Sequence, residues 1–150
     1  MQTPASIARH PIHPMLVPIP IGLWIFSFVC DLVYRFGGAA EPWTTIALYT
    51  MVGGIIGALL AAVPGLIDLL SLPEGPRATA IKHMALNLTI VALYIINVVM
   101  RWREPQNPGG LVWLSLISLV LLVISGWLGA KMVYEYGVAV SATSDPAKRT

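Results

Sequence analysis

Charge is what this sequence is short of: 11% of its 150 residues are Asp, Glu, Lys or Arg, against about 25% in an average soluble domain. A water-soluble domain of this size needs charge to cover its surface, so the deficit excludes an ordinary globular protein. Cysteine is nearly absent too. The lone Cys30 excludes an internal disulfide and any CxxC-type zinc or iron–sulfur site, and its place in an apolar run reads as a small buried hydrophobe. The net charge is only +2 and no basic cluster precedes Lys148-Arg149, which gives nucleic acid no surface to bind. A phosphate-cradling glycine loop with its lysine, a nucleophile elbow and an HExxH zinc helix are all missing, so nothing points to a hydrolase, kinase or nucleotide enzyme.

What is present is apolar length. Hydrophobic residues make up 57% of the chain and the mean hydropathy is +0.77. Charges divide the sequence into four windows: 21 uncharged residues separate Arg9 from Asp31, 26 separate Glu41 from Asp68, 18 separate Lys82 from Arg101, and 26 separate Glu104 from Lys131. A helix needs about 20 mostly apolar residues to cross the roughly 30 Å hydrocarbon layer. The expected fold is therefore all-α, a four-helix transmembrane bundle running up-down-up-down in one domain, residues 1–150. The spans fall near 15–36, 44–70, 78–101 and 111–136. Turn chemistry marks the breaks at Gly37-Gly38, Pro73-Glu74-Gly75-Pro76 and Pro105–Gly110, and 141–150 reads as a flexible polar tail. A cleaved secretory signal is the competing reading of the first span, but Asp31 and Arg35 stand where such signals are uncharged. Four crossings put both termini on one side with six Lys and Arg, against three on the other, which favours cytoplasmic termini.

All three histidines belong to that terminal side. His10 and His13 precede the first span and His83 opens the third, with Asp68 closing the second and Lys131 near the end of the fourth. Ionisable groups in or beside membrane spans are rare, face the interior and are functional candidates. Lys131 and Arg9 read instead as solvated ends, since such side chains reach the headgroups readily. In the third span His83, Asn87, Ile90, Tyr94, Asn97 and Arg101 recur at alternating spacings of 4 and 3, which is one helical face. Provided that the helix runs on through Pro14, Pro18 and Pro20, the first span has the same stripe in His13, Val17, Pro20, Trp24, Ser27 and Asp31. Asp31 has Arg35 or Arg101 as a candidate partner. In the second span Gly53, Gly57, Ala61 and Gly65 form a small-residue face for close packing, within the bundle or between copies in a homo-oligomer.

The run Arg9-His10-Pro11-Ile12-His13-Pro14, then Pro18-Ile19-Pro20-Ile21-Gly22-Leu23-Trp24 and Asp31, resembles the opening of a bacterial family of small predicted membrane proteins, a domain of unknown function. The likeness continues through Gly65, Asp68, Arg77, His83 and Asn87 to Gly126, Leu128, Gly129 and Val133-Tyr134. It implies four spans and a bacterial inner-membrane location. Some relatives are joined to a Rieske-type iron–sulfur domain, which implies electron transfer and a redox partner protein. Relatives also carry a histidine near the end of the last helix, where this chain has Lys131 or Tyr136.

The expected function is a cofactor site in which His83 and either His10 or His13 hold haem b, or a copper or zinc ion, with Asn87 or Asp68 accepting an imidazole N–H. Acidification should release such a group, because protonated imidazole cannot ligate. The alternative is a non-redox scaffold in which these groups satisfy one another; a small proton or ion carrier using His83, Asp68 and Asp31 ranks below both.

Overall fold

The computed structural model describes residues 3–104 and 109–140. A short antiparallel hairpin opens the chain, β1 (Ser6–Ile7) and β2 (His10–Pro11), joined through Ala8 and Arg9 at φ +49° and +65°. Five helices follow: α1 (Ile12–Leu16), α2 (Pro18–Gly37), α3 (Trp43–Ser71), α4 (Glu74–Arg103) and α5 (Leu111–Tyr134). Val17, at φ −53° and ψ −36°, keeps α1 and α2 helical through the prolines, so residues 12–37 act as one span. Each of the four spans is long and apolar enough to cross a membrane. The fold is an all-α bundle.

Two helix starts depart from the expected ones by three residues or more, each for a local reason. The first span starts at Ile12, three residues early, because Pro14 falls inside its first turn, where a missing N–H costs nothing. The third starts at Glu74 rather than 78: extended Pro73 stands before it and Pro76 occupies its first turn, so this proline pair begins a helix instead of holding a loop. The fourth ends at Tyr134, short of 136. Residues 105–108 of the expected turn at 105–110, and the tail at 141–150, lie outside the described residues.

Small residues let the spans close up. Gly54 faces the Trp24 indole so tightly that a Cβ there would overlap it, Gly57 faces Ile19 and Pro20, and Gly65 faces the His13 ring. Gly53, Gly54, Gly57 and Gly65 thus face side chains of the chain's own first span, the within-bundle alternative for this face. On α5 the close-packing face is Ser115, Ser118 and Ser125. The centre of the bundle is Trp24, Met51, Ile90 and Tyr94, all at most 2% exposed, with the Trp24 and Tyr94 rings stacked at 4.4 Å. Outside, Val63, Leu60, Val123 and Trp127 stand more than half exposed. Apolar side chains in that number on the outside of a bundle are the mark of contact with lipid.

Candidate functional site

Both expected polar stripes are interior. On the first span Pro20, Trp24, Ser27 and Asp31 are buried; on α4 Ile90, Tyr94, Asn97 and Arg101 are buried while His83 and Asn87 are half-buried. Asp31 lies eighteen positions beyond His13, and Arg101 eighteen beyond His83. At 1.5 Å of rise per residue the two polar layers stand about 27 Å apart, close to the thickness of the hydrocarbon layer.

One layer holds the histidines. His13 and His83 enter from the first and third spans and meet edge to face, their centroids 6.3 Å apart and their planes at 88°. His13 Nδ1 lies 2.8 Å from the backbone oxygen of Ala61 on α3. Pro64 removes one donor from that turn, and Gly65 makes room for the ring: a Cβ there would lie 2.8 Å from His13 Nδ1. His83 Nδ1 lies 2.9 Å from the backbone oxygen of Ser125 on α5 and 3.0 Å from its Oγ. Gly129, one turn beyond Ser125, lies beside the ring, where a Cβ would make ordinary contact at 3.5 Å from His83 Cε1.

The hydrogen bonds fix the tautomer of His83. Asn87 Nδ2 donates to the His83 backbone oxygen at 2.8 Å, so the amide presents its N–H side and donates to His83 Nε2 at 3.0 Å. Nε2 therefore accepts, and Nδ1–H donates to Ser125. Asn87 thus touches His83 as expected, but the expected role of accepting an imidazole N–H is reversed: it donates. A carbonyl acceptor for His13 Nδ1 likewise places its proton there, and its Nε2 makes no hydrogen bond among the described residues.

His10 is not brought to this pair. It precedes the start of α1, stays exposed, and turns its Nδ1 back to Ala8 O at 2.9 Å within the hairpin. Asp68 is nearly buried and accepts the backbone N–H of Ala5 at 2.9 Å, which ties the N-terminal segment to the end of α3 rather than orienting an imidazole. Lys131 pairs with Glu135 at 3.5 Å on the exposed end of α5, as a solvated group does. Ser125 and the carbonyl of Ala61 were outside the expected set. Among the described residues no group of three or more His, Cys, Asp and Glu is placed to hold a metal ion.

The second layer is a clamp. Asp31, fully buried, takes two hydrogen bonds from Arg101, Nη1 to Oδ1 at 2.6 Å and Nη2 to Oδ2 at 2.7 Å. Arg101 Nε donates to Asn97 Oδ1 at 2.7 Å, and Asn97 Nδ2 donates to Ser115 Oγ at 2.9 Å and to the Leu111 oxygen at 3.2 Å. The bidentate ion pair joins the first and third spans, and Asn97 ties the fourth to them. Of the two expected partners of Asp31, Arg101 takes the place and Arg35 stays exposed.

A family model described as "Predicted membrane protein (DUF2231)" matches residues 9–142 of the chain. The chain belongs to that family. No curated protein and no solved structure matches it.

Proposed function

We propose that this DUF2231 membrane protein holds one copper ion between His13 and His83 and uses it to exchange electrons with a partner protein. The proposed setting is the bacterial inner membrane, with spans alternating up and down and both termini cytoplasmic, the side that carries six of nine Lys and Arg. The observation that carries the reading is the anchoring of the pair. Each ring commits Nδ1 to a backbone carbonyl of a neighbouring span, the arrangement that orients metal-ligating imidazoles and leaves Nε2 for the ion.

Two imidazoles ligating one ion in line place their centroids about 6 Å apart, since nitrogen–metal bonds are about 2.0 Å. The centroids stand at 6.3 Å, so the spacing suits one ion, but the rings now meet edge to face and one of them would have to turn to bring both Nε2 atoms onto it. Asn87 would release Nε2 and keep its bond to the His83 backbone oxygen. Tetrahedral zinc asks for about four donors, more than two imidazoles give, whereas copper accepts imidazole readily. Haem b fits the site less well: the two rings stand against the backbone at Gly65 and Gly129, and a porphyrin would have to part the helices there.

The test is metal analysis of protein purified in detergent from copper-supplemented cells. About one copper per chain is expected, lost in His13→Ala and in His83→Ala and kept in His10→Ala. Metal-free wild-type protein overturns the reading, and a Soret band would transfer the site to haem. A second reading rests on His83 itself, whose two nitrogens are both already hydrogen-bonded. That suits a structural staple between α4 and α5 in a non-redox scaffold. In that case His83→Ala loses stability and no metal is ever present.

A further inference from the structure

The histidine layer contains one motif twice. His13, near the start of the first span, sets Nδ1 2.8 Å from the Ala61 oxygen on the second, with Gly65 beside its ring. His83, near the start of the third span, sets Nδ1 2.9 Å from the Ser125 oxygen on the fourth, with Gly129 beside its ring. From the first motif to the second, the histidine moves 70 positions along the chain, and the carbonyl and the glycine each move 64. The same shift of 64 carries the buried Met51 and Gly54 of α3 onto the buried Ser115 and Ser118 of α5.

The first and third spans touch through counterparts under the shift of 70. His13 meets His83, Trp24 stacks on Tyr94, and Asp31 pairs with Arg101, in the same order along both spans. A residue that touches its own counterpart stands on a two-fold axis, as in an isologous interface. Three such contacts over about 27 Å of helix draw that axis along the bundle. Two helices packed in parallel would by themselves give a constant shift between the first and third spans. They would not give each histidine the same anchor on the span that follows it.

We infer that the chain is two equivalent two-span units in tandem, 12–71 and 74–134, paired about an axis through the histidines, the aromatic stack and the ion pair, and that the opposite charges at 31 and 101 decide which unit pairs with which. The first unit against a second copy of itself would set Asp31 on Asp31. The second against its own copy would set Arg101 on Arg101. Each contact would bury two like charges with no counter-charge, which is how an interface refuses a wrong partner. First against second neutralises both. The partner that this interface selects is therefore the complementary unit, and Asp31 and Arg101 are its specificity-determining residues. The inference does not depend on the copper reading.

Exchange tests it, because equivalent positions accept each other's side chains. Asp31→Arg sets a second guanidinium against Arg101, and Arg101→Asp a second carboxylate against Asp31; each is expected to lower the unfolding temperature of the full chain in lipid nanodiscs. Arg101 Nε donates to Asn97, whose counterpart 70 positions earlier is Ser27. The full exchange is therefore Asp31→Arg/Arg101→Asp with Ser27→Asn/Asn97→Ser, and it is expected to regain at least about half of the loss. A smaller recovery overturns the inference. A second readout involves no charge. Asn87, four positions after His83, donates to its Nε2 at 3.0 Å, and the counterpart of Asn87 is Val17, four positions after His13. In metal-free Val17→Asn/Asn87→Val that hydrogen bond is expected to pass to His13, moving the nitrogen NMR signal of its Nε2 toward the position that His83 Nε2 holds in the wild type. An unmoved His13 signal overturns the inference as well.

Discussion

The Asp31–Arg101 clamp yields the sharpest stability prediction. Arg101→Met leaves the carboxylate of Asp31, 0% exposed, without a counter-charge, and Asp31→Leu leaves the guanidinium, 2% exposed, in the same state. Stranding one member of a buried ion pair costs about 3–5 kcal/mol. The Arg101 variant also strands Asn97 Oδ1, adding about 1 kcal/mol for a lost hydrogen bond. If the two losses were independent, the double variant would fall by about 7–11 kcal/mol, the sum of both penalties. They are not independent, because replacing both members by apolar groups removes the uncompensated charge altogether. Asp31→Leu/Arg101→Met is therefore expected within about 2 kcal/mol of the wild type, with the residual cost set by Asn97. The assay is reversible denaturant unfolding in mixed micelles, with the four proteins of the cycle measured under one condition. Single variants that each lose less than about 1 kcal/mol, as exposed pairs do, would refute the claim that the pair is buried. So would an additive double variant.

Other substitutions separate packing from chemistry. Gly54→Ala forces a Cβ into the Trp24 indole and should destabilise by about 1–3 kcal/mol, as overpacking does. Gly22→Ala meets nothing within 4 Å and should leave stability unchanged or raise it by up to about 1 kcal/mol through helix propensity; both are read by the same unfolding assay. Gly65→Ala places a Cβ 2.8 Å from His13 Nδ1; it should displace the ring from the Ala61 carbonyl and weaken copper retention at least about tenfold, the usual scale for lost outer-shell support of a ligand, seen by competition with a copper chelator. His10→Ala should change neither stability nor metal content, since its ring bonds only within an exposed hairpin.

Much of this architecture was legible because the sequence sets few polar residues in an apolar field. His83, Asn87, Tyr94, Asn97 and Arg101 are conspicuous there, and their 3–4 spacing names the interior face of α4 before any coordinates do. The same holds for Trp24, Ser27 and Asp31 on the first span. His10 and His13 look equivalent in the HPxHP run, yet the chain becomes helical between them and only the second is carried into the bundle. The anchors of the two rings were illegible for a deeper reason: they are backbone carbonyls, of Ala61 and Ser125, which no residue type announces. The serine face of α5 did leave a signal, since Ser115, Ser118 and Ser125 keep a helical 3 and 7 spacing, but serine is common enough in apolar helices for the pattern to pass unremarked.

The two polar layers also bear on the ion-carrier alternative. Such a carrier needs groups that hand a proton from one end of the bundle to the other, and His83 and Arg101 are about 27 Å apart along one helix. Between them lie Trp24, Met51, Ile90 and Tyr94, packed against one another at 0–2% exposure. The indole N–H of Trp24 donates to a backbone oxygen, neither Met51 nor Ile90 carries a proton that can move, and the Tyr94 hydroxyl has no hydrogen-bond partner among the described residues to pass one on. Asp68, the third proposed relay group, is occupied with the Ala5 N–H near the histidine end. An apolar plug closed on both sides makes the layers separate devices: the Asp31–Arg101 end holds the first, third and fourth spans together, and the histidine end carries the nitrogen donors. Substituting one layer should therefore leave the other intact, and copper retention in Asp31→Leu/Arg101→Met at wild-type level is the result this separation demands.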